Sequence, residues 1–469
     1  MLDPKADSVK SSLWLRLADQ WNRWTNASAN RGIFGAAATI GVLTVGVKVI
    51  AALKEIVLAG RFGTSDALDA FLVAFMLPFF AINVISGSFN VALIPTFMRV
   101  REQEGQAAAG RLLAGMLCWS LLLLLGVTAL FGLLINALLP LLASSFSAAK
   151  LALTKRLFYL LLPTLLICGL STTWSAALNA GHKFALVAIT PVVTPLLTIG
   201  VLYAAGTQWG IFAVVFATLL GFAAEAVMLA WGLKRLGFSL LPRWHGFDAA
   251  GKEVMGQYAP VAAGAVLMSG SLVVNQSMGA LLGPGSVAGL NYGTRVVSII
   301  LGIGSLALGT AVLPYFSRMV TKGDWAGTRH TLRTYLRLLM ITSGPLAVGL
   351  VIWSEPLVRI LFERGNFTAA DTDFVAPIAA CFALQIPFYL TGQIGVRLLN
   401  AMGKGRSIMI ICAVNLVATL AGNWIFMRAM GVAGIAISTS LVYLISFLQI
   451  FYVAGKELKR RSAEAARRG

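Results

Sequence analysis

From about residue 33 to about residue 455 the chain is a succession of apolar runs, each longer than 18 residues and separated by short polar breaks. A run of that length crosses ~30 Å of hydrocarbon as an α-helix, and inside a bilayer every backbone polar group must be bonded within its own segment. No alternating ten-residue strand pattern is present, which excludes an outer-membrane barrel. The hydrophobic fraction of 58%, the charged fraction of 12% and a mean hydropathy of +0.83 exclude an ordinary soluble domain. The expected fold class is an all-α polytopic membrane protein of about twelve transmembrane helices, in two parallel six-helix lobes around a central cavity.

The longest polar break, near 234–252, divides twelve spans into six and six. The expected organisation is an amphipathic N-tail over 1–32, an N-lobe over 33–235, a linker over 236–253, a C-lobe over 254–455 and a basic C-tail over 456–469. In the N-tail, Trp14, Leu17, Trp21 and Trp24 at near-helical spacing suggest an interfacial helix. The net charge of +19 reads as topology and anionic-lipid contact rather than nucleic-acid binding. Loops sharing a side with the N-terminus hold sixteen Lys and Arg and the opposite loops eight, with five more in the N-tail and six in the C-tail. The positive-inside rule therefore places both termini in the cytoplasm of a bacterial inner-membrane protein. The loop carrying Lys150, Lys155 and Arg156 runs against that count.

The halves repeat. Pro95-x-Phe97-x-Arg99 returns 219 residues later as Pro314-x-Phe316-x-Arg318, and Leu178-Asn179-Ala180 returns 221 residues later as Leu399-Asn400-Ala401. An offset joining spans six apart means a parallel repeat, the arrangement of transporters that work between two lobes. Pro78, Pro163, Pro191, Pro195, Pro260, Pro345 and Pro387 fall within spans and mark candidate bends.

Ionisable residues inside spans are costly and mark pathways. Lys48, Lys54, Glu55 and Asp69 occupy or flank the first two spans, and Arg295 lies in the eighth. Excess positive charge between lobes selects an anionic ligand, of which phosphate is the natural one. Glu225, alone in the sixth span, reads as structural. Cys118, Cys168, Cys381 and Cys412 stand singly in apolar runs, and His182, His245 and His330 lack metal-ligand spacing. The run Gly283-Pro284-Gly285 follows no strand, so it is not a phosphate loop. No catalytic constellation is present, and an enzyme is the weaker class.

The stretches Lys48-x5-Lys54-Glu55, Phe62-Gly63, Asp69-Ala70-Phe71, Gly285-Ser286-Val287 with Tyr292 and Arg295, and Leu361-Phe362-x-x-Gly365-x-Phe367-Thr368-x-x-Asp371 resemble the MurJ/MviN lipid II flippases. Those flippases form one branch of the multidrug/oligosaccharidyl-lipid/polysaccharide exporter superfamily. The resemblance implies a V-shaped pair of lobes whose cavity binds the pyrophosphate and sugar of an undecaprenyl-linked precursor. It implies Lys48, Lys54, Asp69 and Arg295 as substrate-binding residues. The chain departs from the family at Ile82 and Asn83, where a basic residue is usual, and offers twelve spans where fourteen are common. The expected cargo is therefore lipid II-like, or an exopolysaccharide or O-antigen unit, with cell-envelope glycan synthesis enzymes as possible partners. No cofactor is expected. Glu55 or Asp69 could couple H⁺ or Na⁺, or the membrane potential alone could drive transport. The alternatives are a cation-coupled multidrug exporter and a non-transporting membrane scaffold.

Overall fold

The structure, a computed structural model, describes residues 29–181, 183–244, 246 and 248–466. The expected interfacial helix around Trp14–Trp24 lies outside those residues. Among them there is no strand. Eleven helical stretches are long and apolar enough to cross a membrane, and a further helix, Ala29–Phe62, precedes them. Together these are the twelve expected spans. The first span starts and the twelfth ends on one face, here the terminal face.

The second span joins Asp66–Ala81, a π-helical turn Ile82–Gly87 and Ser88–Gln103. The third is Gln106–Leu142, and the fourth joins Ala148–Leu161 to Pro163–Ala180. The fifth joins Phe184–Ile189, a 3₁₀ turn Thr190–Val192 and Val193–Trp209, and the sixth is Ile211–Arg235. The second half follows with Ala249–Ala280, Ser286–Lys322 and Trp325–Ile352. Its tenth span joins Ala369–Ala383 to Ile386–Ala401, and Gly405–Met430 and Val432–Ala466 complete it. A short helix, Ser354–Phe362, links the ninth and tenth spans.

The prolines divide into two groups. Pro163 opens a new helix at the joint of the fourth span, Pro191 lies in the 3₁₀ turn of the fifth, and Pro387 stands at the joint of the tenth. In each case the missing N–H and the ring prevent the preceding helix from running on. Pro260 and Pro345 instead sit within single unbroken helices. Pro78 lies one turn before the π-helical turn of the second span.

Among the described residues four apolar cores hold the bundle, three of them large and a smaller one around Ile85, Leu124 and Leu165. Phe89, Leu93, Phe97, Leu113, Leu178 and Leu233 fill the terminal-face half of the first lobe. Val297, Phe316, Phe382, Leu398, Ile435 and Ile450 fill the second lobe. The third core joins the lobes: Leu58, Leu68 and Phe158 of the first meet Val287, Tyr292 and Phe367 of the second. That shared core lies at the face opposite the termini. The seventh span also lies against the second, with Phe89 edge-on to Tyr258 at 5.6 Å and Thr96 donating to Glu253 at 3.3 Å.

Candidate anion cleft and its gate

Span one runs toward the opposite face and span eight runs back from it, so residues pair in reversed order. Near the opposite face Glu55, buried, accepts Lys54 Nζ at 2.9 Å and stands 3.4 Å from Arg295 Nε. Asn291, one turn before Arg295, donates to the second Glu55 oxygen at 3.4 Å. Deeper, the exposed Lys48 runs beside Gly302 of span eight, where a Cβ would stand 3.9 Å from Lys48 Cε. At 1.5 Å per residue the six residues from Lys48 to Lys54 put ~9 Å between these levels. Arg295, nine residues into a helix that starts at Ser286, is ~14 Å below its opposite-face end.

The cleft thus holds three cations and one carboxylate, a formal excess of two positive charges. Lys54 and Arg295 keep donors to spare, because each shares the same Glu55 oxygen. Arg295 is 48% exposed and Lys54 24%, so both can reach a ligand without unfolding anything. A guanidinium and two ammonium groups at these spacings can take a multiply charged phosphate, with the guanidinium supplying two-point contact and the lysines point charge.

Asp69 stands apart from this set. It is fully buried, and one oxygen accepts Lys150 Nζ at 2.9 Å and the Gly285 N–H at 2.7 Å. The other accepts the Ala288 N–H at 2.8 Å. The carboxylate of span two therefore occupies the anion position at the N-terminus of span eight. The glycine-rich run Gly283–Gly285 is an anion cradle after all, but its anion comes from the protein. Gly285 has φ +76, and a Cβ there would meet the Thr64 carbonyl at 2.6 Å. In this conformation no ligand reaches Asp69.

Asp69 is one bolt of a wider gate. Asn366 N–H donates to the Gly60 carbonyl at 2.8 Å, and its side chain donates to the Arg61 carbonyl at 2.6 Å. Tyr292 OH donates to the Gly63 carbonyl at 3.1 Å. The Thr64 hydroxyl donates to Asp371, and Lys150 also pairs with Asp66. Asp66, at the start of span two, thus shares Lys150 with Asp69. On the terminal face Arg99 pairs with Glu253, each 41% exposed.

Of the residues singled out from sequence, the structure brings Lys54, Glu55 and Arg295 together, leaves Lys48 ~9 Å deeper beside Gly302, and puts Asp69 in the gate. Glu55, expected as an ion-coupling group, is the shared counter-ion of two cations. Lys150, Asn291, Thr64 and Asn366 were missed. For Lys150 a signal existed: it belongs to the one loop whose positive charge offends the positive-inside count. A lysine neutralised by two aspartates carries little topological weight.

The family model described as lipid II flippase MurJ matches residues 58–467. A probable lipid II flippase MurJ from a Synechocystis species is 26% identical over 455 residues, which cover 92% of this chain and 83% of the relative. The lipid II flippase MurJ of Burkholderia cenocepacia is 26% identical over 438 residues, covering 89% and 83%. A solved lipid II flippase MurJ in an inward closed conformation superposes with a TM-score of 0.78 at 21% identity, over 90% of each chain. An inward-facing multidrug resistance MATE family transporter of the MOP superfamily superposes with a TM-score of 0.75 at 12% identity, over 90% of this chain and 99% of the other. At such identities the two structures speak for the fold alone. With the family model matching residues 58–467, most of the chain though little of the first span, the chain belongs to the lipid II flippase MurJ family.

Proposed function

We propose that this transporter moves an undecaprenyl-pyrophosphate-linked glycan precursor, lipid II or a unit of the same headgroup chemistry, from the inner to the outer leaflet by alternating access. The observation that carries the reading is the cleft in which Lys54 and Arg295 share Glu55, their one acidic partner among the described residues, with Lys48 a level deeper. Its excess charge matches a pyrophosphate and repels an organic cation. A multidrug exporter would fit the fold equally well, but its customary cationic cargo would not fit this cleft. The relatives named above are described as lipid II flippases, which supports the same cargo here.

The terminal face is assigned to the cytoplasm on the count of sixteen basic loop residues against eight. The gate described above then closes the periplasmic side, and the Arg99–Glu253 pair joins the second and seventh spans on the cytoplasmic side. Basic residues of the cytoplasmic loops would rest on anionic lipid, and glycan-synthesis enzymes would deliver the cargo there. A cytoplasm-negative potential favours outward passage of a net anion by about 2.3 kcal/mol per charge per 100 mV.

The test is depletion of the protein from its own cell, with lipid-linked precursors measured by mass spectrometry. Precursors should accumulate, and Lys54→Ala and Arg295→Ala should fail to clear them. Full clearance by both variants would remove the cleft from the account.

A further inference from the structure

Among the described residues, the membrane-spanning helices carry Glu55 near the end of span one, Asp69 in the first turn of span two and Glu225 in the middle of span six. Glu55 is held by Lys54 and Arg295, and Asp69 by Lys150 and two backbone N–H groups. Glu225 has no cation within ion-pair distance. Its side-chain partner is a hydroxyl, that of Thr194, which donates to Oε1.

Glu225 is fourteen residues into the helix Ile211–Arg235 and ten from its end, which places it ~15–21 Å from either terminus. It faces the one place where the fifth span is broken. There Pro191 and Pro195 interrupt the ladder across Phe184–Ile189, the turn Thr190–Val192 and Val193–Trp209. Gly221, one turn before Glu225, lets the two backbones touch, since a Cβ there would stand 2.7 Å from Thr194 Cα. The broken segment also packs on span one, which carries Lys48 and Lys54.

The charged and titratable groups on the elements around Glu225 are few. The Cys168 thiol of the fourth span is close enough to feel its charge. Lys150, Lys155, Arg156 and Tyr159 belong to Ala148–Leu161, Lys183 precedes the fifth span, Tyr203 lies in it, and Lys234 and Arg235 end the sixth. Asp66 and Asp69 of the second span are committed to Lys150. None of these cations pairs with Glu225.

A carboxylate without a cation in a bilayer is costly when ionised and cheap when protonated. We propose that Glu225, with the Thr194 hydroxyl at the proline break of span five, is a proton-loading site that couples outward lipid movement to proton entry. In each cycle Glu225 takes one proton from periplasmic water and surrenders it to cytoplasmic water. The broken segment between Glu225 and span one carries the change to the anion cleft. The proposal rests on the flippase reading above for its cargo, but not for its proton.

The test uses the full-length protein in phosphatidylglycerol–phosphatidylcholine vesicles and has two arms. Dicyclohexylcarbodiimide, which reacts with protonated carboxyls in apolar surroundings, should modify Glu225 in a yield that falls as pH rises. Glu55 and Asp69 should stay unmodified, and the adduct should vanish in Glu225→Gln. Fluorescent lipid II should accumulate in the outer leaflet by about tenfold more per unit of pH gradient, one proton per lipid. Glu225→Gln should flip lipid II without a gradient and ignore the gradient. Absence of the adduct on Glu225, or an undiminished gradient response in Glu225→Gln, would overturn the proposal. If neither protein flips lipid II, the assigned cargo is wrong, while the labelling still decides the proton site.

Discussion

Replacing Gly365 by alanine is expected to hold the gate at the face opposite the termini ajar. Gly365 has φ +59, and a Cβ there would lie 2.2 Å from the Gly60 carbonyl oxygen, closer than any real contact. The obstacle is backbone, so relief requires the two segments to part. Parting breaks the two bonds that Asn366 makes to Gly60 and Arg61, at about 1 kcal/mol each. A shift of ~2 kcal/mol is ~30-fold in the closed-to-open ratio. Ser286, 2% exposed behind the gate, becomes the reporter as Ser286→Cys in a background lacking the four native cysteines. A membrane-impermeant maleimide added outside should label it ~30-fold faster in Gly365→Ala, by the same arithmetic. Gly431 is the control, because its φ of +57 imposes the same backbone strain with nothing within 4 Å. Gly431→Ala should leave labelling unchanged. Equal labelling of Gly365→Ala and the parent would refute the argument that glycine permits closure.

Three other outcomes follow from the same geometry. Lys150→Met strands the buried Asp69 charge, a loss of the kind that costs ~3–5 kcal/mol, so it should lower the thermal unfolding midpoint and raise Ser286→Cys labelling. Glu55→Gln leaves Lys54 and Arg295 without their competitor: calorimetry should show inorganic pyrophosphate binding about fivefold tighter, for ~1 kcal/mol of lost competition, while lipid flipping slows. Glu253→Gln removes the ion pair with Arg99, half open to water, and should move thermal stability by less than ~1 kcal/mol.

Much of the architecture was legible because bilayer physics leaves few options. Apolar length alone gave twelve spans, and the 219–221-residue offset gave two lobes in the same orientation. Helix breaks were legible only in part: Pro163, Pro191 and Pro387 break their spans, while Pro260 and Pro345 do not. Proline removes one bond in every case, and whether neighbouring helices absorb the loss depends on packing that no single sequence displays. For the site, charge inside a span singled out Lys54, Glu55 and Arg295, which the structure places in contact, and Lys48, one level deeper. The same criterion could not separate a cleft residue from a gate residue, and Asp69 looked identical to Glu55 on paper. What separates them is the partner: two N–H groups at the N-terminus of span eight and a lysine 81 residues away, in the first turn of the fourth span. Backbone partners such as the carbonyls of Gly60, Arg61 and Gly63 leave no side-chain signature, which is why the gate was invisible as a unit.

The central claim is that the cleft binds pyrophosphate through Lys54 and Arg295, and equilibrium binding of lipid II to the purified protein tests it most directly. Each charge-assisted contact is worth about 1.5–3 kcal/mol, so Lys54→Ala and Arg295→Ala should each weaken binding by roughly 10- to 150-fold. The alcohol undecaprenol, lacking the pyrophosphate, should bind the parent and both variants alike. Undiminished lipid II affinity in both variants would contradict the account.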